Sequence, residues 1–239
     1  AFAARFYRER FPDVKLLVGN TSSSDSIIAS LFRHGLDPKY VDFIGVEAVG
    51  QTCMPEKLWD GGTQGIWLSR EAARKFGHDL PVTGCFEFTA RADRTLGARR
   101  QAEWYVRDML LCHAYRFRHI NPGTLHDTGN AYFNTLWGAG GLCRRHPLLY
   151  PKPSYVAVAT LTKVLDRVKP PRRVETGSTT VYACEFERAD GRFVCALWTA
   201  CGRADLRLRY PEATEAACVD WVGRERPAAT RPPEHALDV

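Results

Sequence analysis

Apolar residues in this chain switch repeatedly between two periods, and that alternation limits what it can fold into more than any other feature. A short apolar run, Val14-Lys15-Leu16-Leu17-Val18, ends at Gly19-Asn20 and a polar loop from Thr21 to Asp25. A stretch of helical period follows, with Ile27, Ile28, Leu31 and Phe32 on one face, and stops at Gly35. The same order then returns three times. Val41 to Val46, ending in Glu47, precedes a long loop and a helix from about Ser69 to Phe76. Leu80 to Phe88, ending near Glu87, precedes a helix from about Gly97 to Phe117. Phe117 to Ile120 opens into a long loop through Gly141 and a last helix, Ser154 to Val168. Ala1 to Pro12 is helical in character, with no start signal before it.

Strands that alternate with helices imply a parallel sheet, open or closed. An open nucleotide-binding sheet would carry a glycine-rich phosphate turn after its first strand, and none is present. Polar residues gather instead at the carboxyl end of every strand, not at one switch point. The expected fold class is therefore α/β, with four strands of an eight-stranded (β/α)8 TIM barrel. Half a barrel would leave its first and fourth strands as naked edges and expose an apolar interior. The expectation follows that the chain is a fragment, with four further βα units before it.

After Lys169-Pro170-Pro171 the period changes again. Thr179 to Phe186 alternates, Ala189-Asp190-Gly191-Arg192 reads as a hairpin turn, and Phe193 to Thr199 is a second strand. Leu206, Leu208 and Tyr210 mark a third and Ala217 to Val222 a fourth, as in a small antiparallel β-sandwich. The predicted division is 1–169 for the partial barrel, 170–226 for the sandwich and 227–239 for a loose tail.

Composition narrows the function classes. The chain has 239 residues, 45% hydrophobic and 25% charged, with a formal net charge of +6. Its basic residues are scattered, so no stripe with interleaved aromatics points to nucleic acid. No apolar run reaches the roughly 18–20 residues that cross a bilayer. Of eight cysteines, none forms C-x-x-C or pairs with histidine at zinc spacing, so neither metal nor cofactor is expected. Several cysteines lie in apolar stretches and read as reduced core residues, with a disulfide from Cys184 to Cys195 or Cys201 as the alternative. Ser22 to Ser24 lack a G-x-S-x-G elbow.

Barrel enzymes build their sites at strand carboxyl ends. Here those positions supply Asn20, Glu47, Gln51, Glu87, His126, Asp127 and Trp137. Carboxylates, amides and an aromatic face suit a sugar, whose cleavage needs carboxyl groups flanking the scissile bond. Glu87 lies between Phe86 and Phe88, and if those rings face the helices the alternation of a strand turns Glu87 to the interior. Its rival reading is a structural carboxylate. Glu47 is read as a substrate hydrogen-bonding group, an orienter of Glu87 or an ion-pair partner. Trp137 is read as a stacking platform or a loop-packing aromatic. Asn20, Gln51 and His126 are further substrate-binding candidates.

Five segments add a resemblance. Pro81-Val82-Thr83-Gly84-Cys85-Phe86-Glu87-Phe88 resembles the strand-seven motif of the clan of (β/α)8 retaining glycoside hydrolases that includes β-xylosidases, β-galactosidases and many cellulases. Gln101-Ala102-Glu103-Trp104-Tyr105 resembles the following helix, and Thr135-Leu136-Trp137-Gly138 the tryptophan segment after strand eight. Pro151-Lys152-Pro153-Ser154-Tyr155 resembles the final barrel helix. Asp190 to Thr199 with Val219 to Gly223 resembles the accessory β-domain. The resemblance implies strands five to eight of the barrel, a carbohydrate substrate and Glu87 as nucleophile. Two departures stand out. Phe86 precedes Glu87 where the clan usually has threonine, and the clan's acid/base glutamate, on strand four, is missing from this chain. A non-catalytic carbohydrate-binding or scaffold protein on the same fold is the rival reading.

Overall fold

The computed structural model describes residues 2–21, 24–48, 54–56, 71–77, 82–86, 97–128, 139–145, 148–210, 213–228, 230–231 and 236–238. Four short strands form its central sheet: β1 (Leu17–Thr21), β2 (Phe43–Ala48), β3 (Val82–Phe86) and β4 (His119–Pro122). Their order is β1-β2-β3-β4, and every neighbouring pair is parallel. Sequential parallel neighbours are what repeated βα crossovers of one hand produce. The order contains no reversal of the kind that makes a switch point.

The strands begin later than their apolar runs. β1 starts at Leu17 rather than Val14 and takes in Gly19, Asn20 and Thr21. β2 and β4 each start two residues after the predicted position. Hydrogen bonding to the neighbouring strand, not hydrophobicity, sets these limits. The Gly19–Gly45 pairing shows why polar and glycine positions were drawn in. A side chain at Gly19 would lie 2.5 Å from the Gly45 carbonyl oxygen, and the backbone there has φ +96°, so the close approach requires glycine.

Helices α1 (Phe2–Arg10), α2 (Ser24–Arg33), α3 (Ala98–Ala114) and α4 (Pro153–Val164) accompany the sheet, with a helical turn over 71–74. Pro153 opens α4, where a missing N–H is harmless. Two apolar clusters hold the layers together. Ile28 and Phe32 of α2 pack with Ile44 of β2 and with Ala73. Val46 of β2 belongs to a larger cluster with Tyr105, Leu111, Leu161, Cys184 and Phe186. Each large apolar side chain fully buried in this way contributes about 1.5–3 kcal/mol.

That larger cluster runs without a break into the C-terminal part of the chain. There β5 (Arg172–Val174), β6 (Val181–Glu187) and β7 (Phe193–Thr199) form an antiparallel sheet in that order. Tyr182, Cys184 and Phe186 of β6 pack onto α3 and α4. Further antiparallel pairing joins β8 (Arg207–Arg209) to β12 (Ala236–Asp238), β12 to β11 (Thr230–Arg231), and β9 (Ala217–Val219) to β10 (Glu225–Pro227). The stretch expected as a loose tail thus returns to pair with β8. Polar, charge-rich and proline-bearing strands such as these lack the alternation that would mark them in sequence.

The cysteines described here in side-chain detail are free, which removes the disulfide alternative. Cys184 stands opposite Ala196, and Cys195 opposite Glu185. Residues paired across antiparallel strands share a face, so the two thiols lie on opposite sides of the sheet.

Candidate functional site

Parallel pairing brings the carboxyl ends of the four strands to one edge of the sheet. Glu47 stands in a row with Cys85 and Asn121, and Ala48 with Phe86 and Pro122. Thr21 pairs with Val46, and the register shift between Gly19 and Thr21 makes Asn20 the extra residue of a bulge. Asn20 and Glu47 therefore share this edge. Glu87 follows directly on the last residue of β3 but lies outside the described residues, as do Gln51 and Trp137.

Asn121 was not singled out from the sequence. It is exposed, and it occupies the same register row as Glu47. Ending the fourth strand at Ile120 hid it. Pro122, which cannot continue a ladder at a central position, was the signal for a strand end two residues later.

On the face of the sheet away from the buried Ile44 and Val46, the rings of Phe43 and His119 meet edge to face. Their centroids are 5.4 Å apart although β3 lies between their strands. Strands two apart are separated by about 9–10 Å. The side chains lean together over that face.

The loop after β4 is tied down by buried polar groups. Leu125 and Asp127 bond through their backbones to Cys143, and Lys152 N–H donates to the Leu142 carbonyl at 2.9 Å. The Asp127 carboxylate accepts the Gly141 N–H at 3.1 Å and the Lys152 ammonium, which also donates to the Ala139 carbonyl at 3.0 Å. From α3, Gln101 donates to Ala139 at 3.0 Å, and the Tyr105 hydroxyl donates to Gly140 at 2.6 Å. Burial pushes the Asp127 carboxyl above its ordinary value, only partly offset by Lys152. Burial likewise pulls Lys152 down against the opposing pull of Asp127. Asp127, noted in the sequence at a strand end, is thus a fastening of the loop. Its partner Lys152 stands 25 residues away between two prolines, with no local pattern to mark it.

His126 remains exposed beside this fastening. Its Nδ1–H donates to the Asp127 carbonyl at 2.8 Å, which fixes the ring and leaves Nε2 as an acceptor. It lines an open cavity of about 310 Å³ together with Leu125, Cys143, Leu149, Pro151 and Tyr155. Among the described residues, no group of three or more His, Cys, Asp or Glu is arranged to hold a metal ion.

No protein-family model matches the chain, and no curated protein matches it. Among solved structures it is similar to a family 39 glycoside hydrolase from the gut symbiont Bacteroides cellulosilyticus WH2, with a TM-score of 0.70. The chain shares its fold with a glycoside hydrolase. The superposition covers 99% of this chain and 51% of that one, at 17% sequence identity. The chain thus spans about half the length of that structure, and at this identity the likeness is one of fold. It takes in the parallel sheet and the C-terminal antiparallel sheets alike.

Proposed function

We propose that the chain is strands five to eight of a (β/α)8 barrel of a retaining O-glycosidase, joined to a small β-sandwich, with Glu87 as nucleophile. One observation carries the reading. β1 to β4 are parallel and sequential, on a fold shared with a family 39 glycoside hydrolase. The proposed barrel portion is 1–169 and the sandwich begins at 170, with β12 joining it through β8.

Strand period supports the choice of Glu87. Ile44 and Val46 are buried in the two clusters, and Phe43 meets His119 over the other face. Thr83 is in register with both Gly45 and His119, and Cys85 with Glu47 and Asn121. If this two-residue period continues one step past β3, position 87 falls on the face of Phe43 and His119. In a closed barrel that face is the interior, and its carboxyl end is the mouth where sugars are cleaved.

In this reading a Glu87 oxygen attacks the anomeric carbon, and the carbon–oxygen bond of the glycosyl-enzyme forms as the glycosidic bond breaks. The departing oxygen takes a proton from the acid/base glutamate expected on strand four, upstream of this chain. That group, now a base, takes a proton from water as the water attacks the anomeric carbon and frees Glu87. Two inversions retain the configuration. Asn20, Glu47, Gln51 and Asn121 are assigned to the sugar hydroxyls, Trp137 to stacking on the sugar's C–H face, and His126 to the rim.

The test uses the complete polypeptide with a panel of aryl β-glycosides and proton NMR of the first sugar released. The β-anomer is expected first. Release of the α-anomer would replace retention by inversion, and binding without any hydrolysis would favour the non-catalytic reading.

A further inference from the structure

Glu56 lies in the connection that leaves the carboxyl end of β2, yet its side chain is only 4% exposed. A carboxylate so removed from water is costly unless fully bonded. Arg107 of α3 grips both of its oxygens, with Nε donating to Oε1 at 2.5 Å. Trp198 of β7 donates its indole N–H to Oε1 at 2.8 Å. The Trp198 ring is in turn stacked on Tyr182 of β6, 5.5 Å away and 10° from parallel. Asp108, buried on the same helix, has its carboxyl pushed well up by burial and then by the Glu56 charge.

We propose that Trp198 is a positioning residue, which through Glu56 ties the connection after β2 to the C-terminal sheet. Ala48 is held in the sheet at one end of this connection, and Glu56 by the clasp at the other. Eight residue steps separate them, a reach of at most about 29 Å. Gln51 lies within that span in the sequence, three residues after Ala48. The C-terminal sheet thus holds one end of the connection whose other end is the site edge. Its bearing on sugar binding rests on the function proposed above, whereas the coupling itself does not.

Trp198→Phe in the complete polypeptide isolates the bond, because it keeps the stacked ring and removes only the N–H. Hydrogen exchange followed by mass spectrometry should show backbone amides of residues 49–56 exchanging at least about tenfold faster than in wild type. Amides of α2 and β1, which belong with the other apolar cluster, should be unchanged. Glu56→Gln, which loses the charge but keeps an acceptor oxygen, should loosen the same segment. With an aryl glycoside, KM should rise about tenfold and kcat stay within about threefold. Unchanged exchange over 49–56, or equal acceleration over α2 and β6, would overturn the proposal. Wild-type protein without glycosidase activity would remove the functional reading alone, and the exchange result would still decide the coupling.

Discussion

Lys152 and Asp127 form an ion pair shut away from solvent, with side chains 6% and 3% exposed, across the loop that follows β4. Each partner answers the desolvation of the other. Lys152→Met alone should strand a buried carboxylate and cost about 3–5 kcal/mol in a denaturant titration at neutral pH. Lys152→Met combined with Asp127→Leu should cost less than the single change. A single variant as stable as wild type would mean that the pair does not fasten the loop.

The same loop depends on a backbone contact at Gly141. A Cβ there would collide with the backbone of His126 and Asp127, and neither can swing aside as a side chain can. Gly141→Ala should lose about 3 kcal/mol, the upper end for an overpacked site, in thermal or chemical unfolding. A neutral result would separate 139–141 from 126–127.

Asp108 is a fully buried acid whose carboxyl is raised well above 3.8, first by burial and then by Glu56. The folded state holds its proton while the unfolded chain releases it above about pH 4, so stability falls as pH rises. Asp108→Asn should remove that slope, and its stability relative to wild type should grow from pH 4 to pH 8. Parallel curves for the two proteins would contradict it.

Asp42 behaves in the opposite sense. Burial opposes its ionisation, but the Leu16 N–H, Arg8 and Lys15 together hold its carboxyl at about 2. The stabilisation is present above 3.8 and is lost as pH falls through 2, an effect of about 2 kcal/mol. Asp42→Asn should show a shallower acid limb in a pH series of unfolding midpoints, and an unaltered limb would count against the contact between α1 and the start of β2.

Much of this architecture was legible because burial imposes a period. The Ile27-Ile28-Leu31-Phe32 stripe gave α2, and Ala189 to Arg192 gave the hairpin between β6 and β7, whose second strand starts and ends where expected. Strand limits were less legible. Asn20, Asn121 and Pro122 belong to strands through backbone bonds to neighbours, which polar side chains do not advertise. Pairings over long separations, such as Lys152 with Asp127 or Trp198 with Glu56, have no local signature. The resemblance drew attention to Pro151-Lys152-Pro153 without revealing what Lys152 does. Asn20 and Glu47, picked out as strand-end residues, belong to neighbouring strands at one edge of the sheet, whereas Asp127, noted on the same ground, is buried in the fastening of the loop.

The most direct test of the proposed chemistry is the turnover of Glu87→Gln in the complete polypeptide, assayed with a dinitrophenyl β-glycoside. That leaving group departs without proton donation, so the rate reports on the nucleophile. Expected is a loss of several orders of magnitude in kcat with the fold intact by circular dichroism. Turnover close to wild type would contradict the assignment of Glu87.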